Sequence, residues 1–171
     1  MQSAPIRAIC PQDNQRLAAI IRNTLLSFNA AVPGTAFFDP ELDFLFETFQ
    51  AAGSRYWVAV QNAAVVGGAG IYPSQGLPPG YCELVKLYLE PEARGKGIGK
   101  MLITACLQSA AQLGYTHVYL ETMPQLHMAL PLYEKMGFIR LEQPIGNAQH
   151  FGCSIWMLKS LLHECYETVF I

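Results

Sequence analysis

Apolar positions along this chain change period several times, and each change marks an element. Residues 6–9 are a short apolar run that reads as a first strand. Leu17, Ile20, Ile21, Leu25 and Phe28 then recur at the three- and four-residue spacing of a helix with one buried face. Asp39-Pro40-Glu41 opens a second helix. Asp is a favoured N-cap, Pro fits the first helical position, and an acid suits the positive end of the dipole. Leu42, Leu45, Phe46 and Phe49 form its apolar face, and Gly53 ends it.

The middle of the chain switches to strands. Residues 56–60 and 64–71 read as two strands joined by a tight turn at Asn62-Ala63. Gly67, Gly68 and Gly70 in the second of them point to a bulge or a close backbone approach. A proline- and glycine-rich loop over 73–80 leads to a strand over 82–90, bounded by Pro91. A glycine turn over 94–99 precedes a helix over 101–113, capped by Gly114. A strand over 116–122, a short helix over 129–136 capped by Gly137, and strands over 138–141 and 151–158 complete the order β-αα-βββ-α-β-α-ββ. This is an α/β fold.

At 171 residues, with no linker, repeat or low-complexity tract, the chain reads as a single domain over residues 1–171. Apolar residues make up 51 % and charged ones 14 %, which excludes intrinsic disorder. A net charge of −2 without any Lys/Arg run argues against nucleic-acid binding. The low charge also has a second reading, a face covered in a homodimer. The first residues do not read as a secretory signal, and neither residues 56–82 nor 101–120 is a sustained apolar run, so no membrane association and a cytoplasmic location are expected. The five cysteines are scattered, without CxxC or a Cys/His cluster, so no metal site and no disulfide framework is expected.

The chemistry concentrates in Arg94-Gly95-Lys96-Gly97-Ile98-Gly99-Lys100, between a strand and a helix. Glycines let the backbone approach a ligand, and the free N–H groups of such a turn and of the first helical turn form an anion nest. A Walker A loop is excluded by Arg94 and Met101, and the dinucleotide fingerprint by the register of Gly95, Gly97 and Gly99. A nucleotide-phosphate enzyme is therefore disfavoured.

The run does match R/Q-x-x-G-x-G/A through Arg94, Gly97 and Gly99. Here the chain resembles the GNAT superfamily of N-acetyltransferases. Leu132-Tyr133-Glu134-Lys135-Met136-Gly137-Phe138 resembles that family's second signature, and the clearest likeness spans residues 81–140. The resemblance implies a mixed sheet of about seven strands flanked by about four helices, with strands four and five splayed apart. It implies acetyl-CoA as cosubstrate. The arm of acetyl-CoA would pair with Leu87, Tyr88 and Leu89, and its pyrophosphate would meet Arg94 and the N–H groups of Gly95, Lys96, Gly97, Ile98, Gly99 and Lys100. It further implies direct transfer to an amine, without a covalent intermediate on Cys82 or Cys106.

A general base must take the ammonium proton, and a carboxylate in an apolar strand can serve. Glu83 is the first candidate. It lies eleven residues before Arg94, the offset of the base in histone-acetylating members, and alternation puts it on one face with Val85, Leu87 and Leu89. Glu121 is the second candidate, as base or as a contact for a cationic substrate. Tyr133 stands where the family carries a proton donor to the CoA thiolate. A phenol stays protonated at neutral pH. One departure is Leu126, where family members often carry Asn; Gln125 is a substitute contact for CoA. His127 is a candidate lining residue for the cleft. The acceptor is a small-molecule amine or a protein amine, shaped by residues 29–39. A non-catalytic acyl-CoA sensor is the rival reading.

Overall fold

The computed structural model describes residues 6–146 and 151–162. Their strands form one seven-stranded sheet in the order β1-β2-β3-β4-β5-β7-β6. The strands are β1 (Ile6–Ala8), β2 (Arg55–Gln61), β3 (Ala64–Tyr72), β4 (Tyr81–Leu89), β5 (His117–Thr122), β6 (Ile139–Leu141) and β7 (Ile155–Ser160). The helices are α1 (Asn14–Ser27), α2 (Leu45–Thr48), α3 (Ile98–Gln112) and α4 (Leu130–Lys135). The mixed seven-stranded sheet with four α-helices is the architecture expected from the sequence.

Each face of the sheet carries its own core. On one face, Leu102, Ile103 and Cys106 of α3 and Tyr133 of α4 pack against Cys82, Leu84, Val118 and Leu120. On the other, Leu17, Ile21 and Leu25 of α1 with Leu42, Leu45 and Phe49 pack against Tyr56 and Val58. Each such large apolar side chain, fully buried, contributes about 1.5–3 kcal/mol relative to exposure. Cys106 is therefore a core residue, as its place inside an apolar helix suggests.

The strand boundaries follow the sequence within a few residues. Asn62 and Ala63 both have positive φ (51° and 62°), as a tight hairpin turn between β2 and β3 requires. α3 begins at Ile98 rather than 101, because Gly97 is its left-handed N-cap at φ 80°. β7 occupies Ile155–Ser160 instead of 151–158.

The second helix departs from expectation. Residues Pro40–Phe44 form a 3-10 segment, and only Leu45–Thr48 is α-helical. Asp39 does not cap it with its side chain. Its carboxylate instead accepts from the ammonium of Lys86 on β4. The cap comes from α1: Asn14 Oδ1 accepts the Phe46 N–H at 2.7 Å. A tertiary contact has displaced the local one, although Leu42, Leu45 and Phe49 are buried as their spacing implies.

A bulge in β4 overturns a second expectation. β3 pairs Gly68 with Tyr88 but Gly70 with Val85, so the register slips around Lys86, whose φ is 53°. The slip reverses the alternation of side chains. Val85 packs with the α1/α2 core, whereas Leu87 and Leu89 pack with the α3/α4 core. Glu83 shares a face with Val85 and not with Leu87 and Leu89.

Candidate active site

All strand pairs are antiparallel except β4–β5. That parallel ladder has three rungs: Tyr81–His117, Cys82–Val118 and Glu83–Tyr119. Beyond Glu83 the two strands part. The β5-facing edge of β4 from Leu84 onward therefore offers backbone donors and acceptors without a strand partner, and an extended chain can add there as a further strand.

The gap opens into a cleft of about 300 Å³, lined by Leu87, Tyr88, Leu89, Arg94, Gly95 and Gly99 from one side and Leu126, Met128 and Tyr133 from the other. Thr24 of α1 and Phe28 at its C-cap also line it; helical spacing marks Phe28 only as part of a buried face and does not mark Thr24. At its outer end stands the glycine turn. Gly95 and Gly97 have φ of 71° and 80° and nothing within 4 Å of a would-be Cβ. Their backbone is open to a ligand, as an anion nest must be. Gly95, Lys96, Gly97 and Lys100 are exposed, while Ile98 and Gly99 are buried. The Ile98 side chain belongs to the α3/α4 core, so only its backbone faces outward chemistry.

Arg94 is a structural tether as well as a cleft residue. Its Nε donates to the Leu89 carbonyl at 3.0 Å, its Nη2 to Thr24 Oγ1 at 3.3 Å, and its guanidinium lies 5.1 Å above the Phe28 ring. It binds the glycine turn to β4 and to α1.

Deeper in, a throat of about 60 Å³ holds Glu83, Lys86, Leu87, Tyr88, Glu121, Leu126, Tyr133 and Cys153 among its walls. The throat shares Leu87, Tyr88, Thr122, Leu126 and Tyr133 with the cleft. It shares Glu83, Val85 and Lys86 with a third cavity, a groove of about 560 Å³ walled by Asp39, Glu41, Phe49, Tyr72, Ser74 and Gln75. The throat thus joins the groove at Glu83, Val85 and Lys86 and the cleft at Leu87, Tyr88 and Tyr133.

Glu83 accepts a hydrogen bond from Ser74 Oγ, contributed by the β3–β4 loop. Tyr119 Oη donates to Glu121 Oε1 at 2.8 Å. Burial raises the Cys153 thiol pKa to about 12, with the charges of Glu121, Glu83 and Asp39 adding to the effect. The throat sets two carboxylates, Glu83 and Glu121, against the Lys86 ammonium, and Cys153 is protonated at neutral pH. Tyr133 is buried, and desolvation lifts its phenol above its ordinary value. It remains a proton donor throughout the neutral range.

The structure brings Glu83, Glu121 and Tyr133 to one throat and Leu87–Leu89, Arg94, Gly95 and Gly99 to one cleft, whereas Lys96, Gly97, Ile98 and Lys100 belong to the adjoining turn and do not line it. His127 is exposed and lines none of these cavities, nor does Gln125; Leu126 lines both cleft and throat. Ser74 and Lys86 were missed by the sequence reading. Among the described residues, Cys10, Cys82, Cys106 and Cys153 are free thiols, and Cys165 lies outside them. No group of His, Cys, Asp or Glu among the described residues is arranged to hold a metal ion. No helix of the described residues is long and apolar enough to cross a membrane.

The profile of the acetyltransferase (GNAT) family matches residues 21–138, more than half of the chain. The chain belongs to the GNAT acetyltransferase family. It is 37 % identical over 161 residues to the uncharacterized N-acetyltransferase YjgM of Escherichia coli K12, covering 94 % of this chain and 96 % of that one. It is 38 % identical over 111 residues to N-acetyltransferase 8B of Rattus norvegicus, of which the match spans 47 %. Among solved structures, a phosphinothricin acetyltransferase from Sinorhizobium meliloti in complex with AcCoA superposes with a TM-score of 0.75 at 22 % identity, over 93 % of this chain and 89 % of that one. The yncA protein of Salmonella typhimurium with its cofactor acetyl-CoA gives 0.76 at 20 % identity, over 99 % and 100 %. This GNAT protein is an acyl-CoA-dependent N-acetyltransferase.

Proposed function

We propose that this acetyltransferase moves an acetyl group from acetyl-CoA directly to a primary amine, with Glu83 as general base and Tyr133 as general acid. The observation that carries the reading is the sharing of walls. Glu83 borders throat and groove, and Tyr133 borders throat and cleft. An amine arriving by the groove meets a carboxylate, and a thioester arriving by the cleft meets a phenol.

In this reading the pantetheine arm adds to the open edge of β4 along Leu87, Tyr88 and Leu89. The pyrophosphate takes the N–H groups of Gly95 to Lys100, with Lys96 and Lys100 adding charge. Glu83 accepts a proton from the ammonium. The freed nitrogen attacks the thioester carbon, the C–S bond breaks as the Tyr133 hydroxyl protonates the departing sulfur, and the second proton shed by the nitrogen restores the Tyr133 phenol. Glu121 contributes negative potential that favours a cationic acceptor. The domain so formed spans residues 1–171 and works in the cytoplasm.

The acceptor class follows from the groove. It sets three carboxylates (Asp39, Glu41, Glu83) against one ammonium, Lys86, among the apolar walls of Phe49, Tyr72, Pro40 and Pro73. Those walls suit a small amine with an apolar part better than a polyanion. Mass spectrometry of acetyl-CoA reactions with amino acids, polyamines, aminoglycosides and short peptides tests this. An acetylated amine whose yield collapses in Glu83→Gln and Tyr133→Phe supports the reading. Thermal stabilisation by acetyl-CoA with no product from any acceptor counts against it and turns the reading toward a CoA sensor.

A further inference from the structure

The β4 bulge is held from behind by a residue two strands away. Lys86 adopts a left-handed backbone (φ 53°), which is uncommon outside glycine and persists only where surroundings impose it. Two contacts impose it here. Its ammonium donates to Asp39, and its carbonyl accepts a 3.0 Å hydrogen bond from the Tyr56 hydroxyl. Tyr56 lies on β2 and must cross β3 to reach β4. It does so over glycines: a Cβ on Gly68 would lie 2.4 Å from the Tyr56 ring, and one on Gly70 2.6 Å from it. Phe49 packs on the same ring with centroids 4.9 Å apart. The glycine-rich pattern of β3 thus has a concrete use, a slot for one phenol.

A trans peptide points its C=O and the following N–H in opposite directions. The described residues contain no cis peptide. With the Lys86 carbonyl drawn toward Tyr56, the Leu87 N–H is turned the other way, away from β3. Leu87 lines both throat and cleft. A single N–H aimed at a thioester carbonyl stabilises the charge that develops there during acyl transfer.

We infer that Tyr56 is a positioning residue for acyl transfer, its hydroxyl fixing the Lys86 carbonyl so that the Leu87 N–H faces the thioester. It touches neither substrate and acts through the 86–87 peptide. The inference rests on the donor lying along β4, as proposed above.

Tyr56→Phe keeps the ring and removes only the hydroxyl. Ser109→Ala is the matched control: it removes another buried contact between segments, the 2.9 Å bond from Trp57 Nε1, and lies away from the bulge. The expected result for Tyr56→Phe is a kcat lowered at least tenfold, with the KM for the amine within twofold of wild type. Calorimetric affinity for CoA, which lacks the carbonyl, stays within twofold. The Leu87 amide resonance, which shifts further with acetyl-CoA than with CoA in the wild type, loses that difference. Ser109→Ala retains wild-type kcat and the Leu87 shift. A wild-type kcat in Tyr56→Phe, or an equal fall in Ser109→Ala, overturns the inference. A wild type whose Leu87 amide responds to neither CoA nor acetyl-CoA overturns the donor placement itself, and the inference with it.

Discussion

Glu83 and Tyr119 form the last rung between β4 and β5, and the sheet opens immediately beyond them. A carboxylate at the vertex of that opening reaches the gap while its backbone stays paired. This explains how a charged side chain occupies the interior edge of a sheet without being sealed in it.

The first prediction concerns Glu83 and the loop serine that holds it. Glu83→Gln should lower kcat/KM by about 10²–10⁴-fold, the range for losing a general base. Ser74→Ala should have a smaller effect, about three- to tenfold at pH 7. Its hydrogen bond to the ionised carboxylate favours that form, so removing it moves the acid limb of the kcat/KM profile to higher pH. Steady-state rates from pH 5 to 9 for both variants check this. An unmoved acid limb in Ser74→Ala would detach the serine from Glu83.

Tyr133 provides a prediction of sign. Burial raises its phenol above the ordinary value of 10, so it stays protonated up to at least that pH in the folded protein. Any alkaline limb seen below pH 10 must belong to another group. Tyr133→Phe should therefore lower kcat without changing the shape of the alkaline side. Its melting temperature should hold, because Phe fits the same apolar site, packed against Phe138.

Cys153 reports on the throat. With its thiol pushed up to about 12, the thiolate fraction at pH 8 is about 10⁻⁴, against roughly a quarter for an ordinary cysteine. Alkylation by iodoacetamide should be slower by about 10³-fold than in the denatured chain. Peptide mapping by mass spectrometry gives the rate. Fast alkylation of the native protein would show that the Cys153 thiol is not shielded by burial in the throat.

Gly97 is the sharpest test of the anion nest. At φ 80° an Ala strains the backbone by about 1 kcal/mol, though nothing lies within 4 Å to clash with its methyl. Gly97→Ala should lower the melting temperature by a few degrees and weaken CoA binding by tenfold or more. Dephospho-CoA and CoA should lose affinity in parallel, because both keep the pyrophosphate. An unchanged Kd for CoA would remove the pyrophosphate from this turn.

The sequence spoke clearly wherever local rules were left to decide. Gly97, Gly114 and Gly137 sit at positive φ where turns and helix ends demand it, and the period of Leu17, Ile20, Ile21 and Leu25 reports their burial. It was silent where distant residues decided. Nothing about Lys86 marks a left-handed residue, yet its conformation flips Leu87 and Leu89 away from the face of Glu83. Asp39 has every local property of a cap, but Lys86 takes its carboxylate. The cap that α2 does receive comes from Asn14, 32 residues upstream. Alternation and capping rules presume an undisturbed strand and an isolated helix, and the site is built where neither holds.

The three-rung seam between β4 and β5 bears on how the molecule breathes. β1 to β4 form a run of antiparallel neighbours, and β5, β7 and β6 form another; the parallel seam and α3 join them. Few backbone hydrogen bonds resist partial separation of the halves, so opening there costs less than global unfolding. A donor lodged along the seam would act as a splint. Amide exchange should slow on both flanks of the gap together, including at Leu120, which lines neither cleft nor throat.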